Sequence, residues 1–233
     1  MRRLVLLPLV TATLAMAAAG IPLAGQSIPS PYRFIEERQE LGIFAGTFWG
    51  DPGRYDLGPG TGVVGGVRYG IDLSGPLSIE GVGSVASATR DVINPRRDEG
   101  DRKVEEAEAA LLFLEARLRF SLTGRRTWYG FQPFLFAGGG VAFDIQGNQS
   151  EDELLASVDR FDFGTQFLGT TGAGARYLLG RRWVIRADAT LYLYQVDTPG
   201  GFLDPDRNLD LGTVPESEWV SSTSVTLGFA FRF

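Results

Sequence analysis

From Ser221 to Phe233 the chain alternates without a break. Ser222, Ser224, Thr226, Gly228, Ala230 and Arg232 fall on one side; Thr223, Val225, Leu227, Phe229, Phe231 and Phe233 fall on the other. Residues two apart share a face of a β-strand, so the segment predicts a strand with one aromatic and aliphatic face and one face that tolerates a crowded interior. Such a strand at the end of a sequence suits the closing strand of a transmembrane β-barrel, with lipid on one side and a polar lumen on the other.

Composition agrees with an all-β chain. Among 233 residues, 31 are Gly and 12% are aromatic, and runs rich in Val, Leu, Phe and Tyr fit a pleated surface. With 44% hydrophobic residues the chain sorts with folded proteins and not with disordered ones. Residues 1–25 read as a secretory signal peptide: Arg2 and Arg3 give a positive start, Leu4 to Ala15 an apolar stretch, and Ala17-Ala18-Ala19 the small residues that signal peptidase needs. Leu23-Ala24-Gly25 has the form of a lipoprotein cleavage box, but Gln26 follows it and the chain has no Cys to carry a lipid. No later segment has the ~18 uninterrupted apolar residues of a membrane helix, so export beyond the inner membrane is expected. Removing Arg2 and Arg3 takes the formal charge from 22 − 28 = −6 to 20 − 28 = −8, an acidic balance that argues against nucleic acid as a partner.

Eight runs alternate: Leu41–Trp49, Val63–Leu73, Leu77–Thr89, Ala107–Leu122, Phe131–Ile145, Phe163–Leu179, Trp183–Tyr194 and the terminal run. Most reach the roughly 9 to 11 residues with which a tilted strand crosses a bilayer. In the fourth, Leu112, Leu114, Ala116, Leu118 and Phe120 oppose Glu115, Arg117, Arg119 and Ser121; charges opposite a full apolar stripe need an interior that is wet or ion-paired. The facing of the fifth stays open at Gly138-Gly139-Gly140, where glycine permits bending or close packing. Connections 50–62, 90–106, 146–162 and 195–218 are long, whereas 74–76, 123–130 and 180–182 are short, the pattern of an up-and-down barrel with external loops and periplasmic turns. Under this threading Tyr69, Trp128, Tyr177, Trp183 and Phe233 mark the periplasmic rim, and Trp49, Phe143 and Trp219 the external one, as two interfacial girdles. Residues 26–40 then form a periplasmic N-terminal segment and 41–233 the barrel.

The terminal Val225-Thr226-Leu227-Gly228-Phe229-Ala230-Phe231-Arg232-Phe233, and the unit Gly172-Ala173-Gly174-Ala175-Arg176-Tyr177 continuing through Arg181-Arg182 to Arg186-Ala187-Asp188, resemble the eight-stranded outer-membrane barrels of the OmpA and OmpX type. The resemblance covers Leu41 to Phe233. It implies an all-β, eight-stranded antiparallel up-and-down transmembrane β-barrel of a Gram-negative-type outer membrane, monomeric and surrounded by outer-membrane lipids. It also implies that Phe229, Phe231 and Phe233 act as an assembly signal read by the barrel-assembly machinery. Unlike full-length OmpA, the sequence stops at the barrel, so no peptidoglycan-binding domain is expected. This fold hosts adhesion, structural and enzymatic proteins alike.

The chain has no His, which removes Ser-His-Asp catalysis and most transition-metal sites. Lys103, the single lysine, sits beside Arg102 in a charged loop. No catalytic residue and no cofactor is expected, and the chain reads as a non-enzyme. The inward charges Arg68, Asp72, Glu80, Glu115, Arg117, Arg119, Arg176, Arg186 and Asp188 form the most distinctive constellation, either an ion path or a salt-bridged plug. Eight strands enclose a space that side chains fill, and buried charges persist when paired, which favours the plug.

The long loops hold more Asp and Glu than Lys and Arg. Such a surface stays soluble without any ligand, or gathers divalent cations against anionic headgroups. Asp204, Asp206, Asn208 and Asp210 place oxygens at alternate positions like the first half of a calcium loop, but the sixth-position glycine is absent and Pro215 stands where the glutamate belongs; no metal site is assigned. Ser150-Glu151-Asp152-Glu153 before Leu154-Leu155 has the form of a capping box, which predicts a short helix over the barrel mouth. The leading expectation is a structural or surface-interaction protein with acidic extracellular loops and a plugged lumen. A narrow OmpW-like channel or small-molecule transporter is the alternative. A secreted soluble ligand-binding barrel, with its apolar face inside, is the third.

Overall fold

Alternating apolar and polar side chains force each run into an extended strand, and a lone strand leaves its backbone N–H and C=O groups unpaired, which lipid does not tolerate. The runs therefore pair in chain order until the last meets the first. The computed structural model describes residues 30–98, 100–147, 149–206 and 211–233, so the signal segment 1–25 and residues 26–29 lie outside the described residues. The strands are β1 Tyr32–Phe34, β2 Gln39–Trp49, β3 Thr61–Asp72, β4 Leu77–Ile93, β5 Lys103–Ser121, β6 Arg126–Trp128, β7 Phe131–Asp144, β8 Thr165–Leu179, β9 Trp183–Asp197 and β10 Ser217–Arg232. Eight of them, β2 to β5 and β7 to β10, pair antiparallel with their neighbours, and β10 closes on β2 from Thr223↔Trp49 to Arg232↔Glu40.

Several boundaries differ from the apolar alternation. β4 continues to Ile93, β5 starts at Lys103, β9 runs to Asp197 and β10 starts at Ser217. These extensions are polar, as in the Asp91↔Glu106 pair, and they form because ladder hydrogen bonds do not require apolar side chains. β2 starts at Gln39, so Gln39 and Glu40 belong to the barrel and not to the segment before it. The stretch 123–130 is also more than a turn. β6 pairs with β1 as Tyr32↔Trp128, Arg33↔Thr127 and Phe34↔Arg126, then folds into β7 through Tyr129 and Gly130, whose φ values of 50° and 87° suit a two-residue hairpin turn.

Outward side chains are apolar: Val67, Leu118, Leu227 and Phe167 are 55%, 57%, 62% and 84% exposed. A continuous exposed apolar wall of this kind belongs in lipid. Arg68, Arg117, Thr226 and Leu168, one residue away from these, are buried. A soluble barrel with its apolar face inward would require the opposite assignment. The fifth run now has a facing: Gln132, Phe134 and Phe136 are buried within the barrel, and Leu135 and Ala137 are exposed. Gly138 and Gly140 continue the inner face opposite Arg117 and Glu115. A Cβ on Gly140 would lie 1.9 Å from the Leu114 carbonyl oxygen, so only glycine lets β7 approach β5 there.

The predicted helix over the mouth is a 3₁₀ turn, Ser150–Leu154. Its cap is one residue earlier than expected: the Gln149 N–H donates to the Asp152 carboxylate at 2.8 Å. Leu155 tucks beneath it against Val92 and Ala107.

Candidate functional site: a lumen in two storeys

The pleat delivers every second residue of eight strands to one interior, and all nine charges singled out in the sequence lie on that side. All are buried except Asp72, which is partly exposed at the short-turn end. They form the lower storey. Arg117 holds Glu115 through two bonds of 2.9 Å, and Arg186 holds Glu80 at 2.5 and 3.0 Å and Asp188 at 2.9 Å. Arg68 pairs with Asp188, and Arg119 with Glu80; Arg119 also reaches Asp72 at 2.8 Å. Phenylalanine rings separate the layers: the guanidinium groups of Arg68, Arg117 and Arg186 lie 4.4, 4.7 and 4.4 Å from the rings of Phe44, Phe136 and Phe134, within cation–π range.

Two members escaped the sequence reading. Glu40 is the centre of the network, with Arg176, Arg186, Arg232 and Arg119 nitrogens at 2.6, 3.9, 3.9 and 4.0 Å. Arg232 joins it to Asp72 at 2.7 Å. The signal was available: alternation continued backward from Gly42 places Glu40 inward, and Arg232 shares a face with Ser222 and Thr226. Residues 31–38 cross beneath this storey as a strap. Its Ile35 is buried, the Ile35 N–H donates to the Arg125 carbonyl at 3.0 Å, and Tyr129 N–H to Pro31 at 2.9 Å.

The upper storey departs from the expectation of a charged plug throughout. Phe48, Phe113, Leu111, Leu168, Tyr192 and Tyr194 form an apolar core, roofed by Leu57, Phe161, Phe163 and Phe202 from the long loops. Phe113 stacks on Tyr192 with ring centroids 5.1 Å apart. The Tyr192 and Tyr194 hydroxyls meet Ser224 and Ser222 at 3.2 and 2.8 Å, which satisfies their polar ends. The sequence hid this core because Phe113 lies between Leu112 and Leu114, and Tyr192 between Leu191 and Leu193, so hydropathy does not separate the two faces there. Arg90, expected in a loop, is buried and pairs with Asp152 at 2.5 Å, tying the 3₁₀ turn to the barrel wall.

Among the described residues no cluster of His, Cys, Asp or Glu is arranged to hold a metal. Of the calcium-like loop, Asn208 and Asp210 lie outside the described residues; the Asp206 N–H donates to Asp204 at 3.0 Å. On the outer wall Trp183 stacks on Phe229 at 4.9 Å and meets Phe231 edge-on at 4.9 Å, while Phe231 and Phe233 lie 6.3 Å apart. The three terminal phenylalanines thus form one aromatic row at the short-turn end.

The closed sheet, lipid-facing wall and filled interior define an eight-stranded transmembrane β-barrel of the outer-membrane kind. The chain is similar in fold to the outer membrane protein OprG from Pseudomonas aeruginosa, at 13% identity over 85% of this chain and 98% of that one, with a TM-score of 0.55. It is also similar to Neisserial surface protein A, at 12% identity over 88% of this chain and 98% of that one, with a TM-score of 0.50. No family model and no curated protein matches the chain.

Proposed function

We propose that the chain is a non-enzymatic structural or surface-interaction protein of the outer membrane whose lumen is sealed, with its short turns in the periplasm and its acidic loops outside. One observation carries this reading: the interior is filled along its length, by paired charges below and an aromatic core above. An eight-stranded barrel is narrow enough for its own side chains to do this. Barrel strands, long loops and lipid-facing wall remain for function, and the loops are the elements that reach the cell surface. The test is reconstitution in planar bilayers. No large steady conductance is expected; reproducible current whose ion selectivity changes with Arg117→Glu would establish an open charged lumen and favour the transporter alternative.

A further inference from the structure

The lipid-facing wall does not stop at the barrel rim. In a β-ribbon paired residues point to the same side, so Tyr32 and Trp128 share a face with Phe34 and Arg126, and Thr127 with Arg33 turns to the other. Trp128 pairs in turn with Phe131, and Phe131 with Tyr177 on β8. Phe131 and Tyr177 are exposed residues of the barrel's apolar wall. The aromatic face of the β1–β6 ribbon is therefore continuous with the surface that meets lipid. Tyr32, Phe34, Trp128 and Tyr129 are 50%, 61%, 52% and 69% exposed, a cost that a wholly aqueous ribbon would carry without return.

Net charge at this end is positive. The strap and the short turns, residues 30–38, 73–76, 122–130 and 180–182, hold Arg33, Arg38, Arg125, Arg126, Arg181 and Arg182 against Glu36 and Glu37, or 6 − 2 = +4. The loops at the other end, residues 50–60, 94–102, 145–164 and 198–216, hold 6 basic and 14 acidic residues, or 6 − 14 = −8. Glu36 is already matched by Arg181 at 2.6 Å. Arg126, on the aromatic face, and Arg182, beside the Phe231 ring at 5.9 Å, have no ion pair among the described residues.

We propose that the β1–β6 ribbon is an interfacial lipid anchor: its aromatic face lies in the headgroup layer of the periplasmic leaflet, and Arg126 and Arg182 bind the phosphates of anionic phospholipids there. Tyr and Trp favour this layer because one end of the ring system is apolar and the other polar, and basic side chains within a Debye length of an anionic leaflet are drawn to it. The proposal rests on the orientation given above, with the short turns in the periplasm, and is independent of whether the lumen conducts.

The full folded chain in detergent, presented with phosphatidylglycerol and phosphatidylcholine of matched acyl chains, tests it by native mass spectrometry. Phosphatidylglycerol should be retained in preference, and Arg126→Gln and Arg182→Gln should each lower that retention by about fivefold while leaving phosphatidylcholine adducts unchanged. A heat-shifted gel mobility in both variants shows that the barrel itself has folded, which separates a failed anchor from a failed barrel. Equal retention of the two lipids, or retention of phosphatidylglycerol insensitive to both substitutions, overturns the proposal. Displacement of the lipid by millimolar inorganic phosphate also overturns it, because the arginines would then read phosphate without a membrane.

Discussion

Glu40 sits where four guanidinium groups converge within 4.0 Å, so its charge offsets repulsion among cations that are buried from bulk solvent. Removing one partner of a buried ionic network leaves uncompensated charge and costs about 3–5 kcal/mol. Glu40→Gln should lower the stability of the folded barrel by that amount, as read from urea unfolding in lipid vesicles. Glu36→Gln breaks an ion pair whose members are both well exposed, a class worth roughly 0–1 kcal/mol. Equal effects from the two substitutions would mean that the lower storey is not electrostatically coupled. The neighbouring pair Arg117 and Leu118 tests direction in the same way. Leu118 faces lipid, and an arginine there costs roughly 2–4 kcal/mol near the midplane; Leu118→Arg should abolish insertion. Arg117→Leu should still insert with the same topology, but as a less stable barrel in which Glu115 has lost its bidentate partner. The reverse pattern in a folding assay would invert the faces of β5.

At the scale of elements, β7 shows how a strand's glycines serve its neighbour. Gly138 and Gly140 stand opposite Arg117 and Glu115, and a Cβ on Gly138 would come within 2.3 Å of the Ala116 carbonyl oxygen. Overpacking costs typically about 1–3 kcal/mol, and here the obstacle is backbone. Gly140→Ala should therefore reduce folding yield and the urea midpoint, whereas Gly81→Ala, with nothing within 4 Å of its new methyl, should leave both unchanged. A tolerated Gly140→Ala would show that the two strands separate at little cost.

That close approach was not legible in the sequence, because three consecutive glycines carry no alternation from which to read a face. Where side chains do alternate, as from Val225 to Phe233 or Leu112 to Phe120, the strand and its faces follow directly from the residues. The lower lumen was legible for the same reason. The pairing of β1 with β6 was not, since three-residue strands such as Tyr32–Phe34 are too short to show a period. The roof of Phe161 and Phe202 was hidden too, because loop aromatics announce burial only once the loops are folded over the mouth.

Seen as a whole, the molecule is closed three times over: by the strap 31–38 at one end, by paired charges in the lower lumen, and by the aromatic core beneath the long loops. The strap is an element of its own and the two storeys occupy different levels of the same strands, so the strap should be removable without opening either storey. Deleting residues 31–38 removes the buried Ile35 and the hydrogen bond from the Arg232 guanidinium to the Glu37 carbonyl at 2.5 Å, yet leaves Glu40 and its arginines in β2, β5, β8, β9 and β10. The truncated barrel should insert, shift on heating, unfold at somewhat lower urea, and still pass no steady current in planar bilayers. Combining the deletion with Phe113→Ala and Tyr192→Ala opens the upper storey as well, where loss of each large aromatic costs roughly 3–5 kcal/mol; the barrels that survive the loss should still pass no steady current, because the paired charges around Glu40 and Glu80 remain in the lower lumen. Steady current from the strap deletion alone would show that the strap is the sole seal and that the packed storeys above it do not exclude ions.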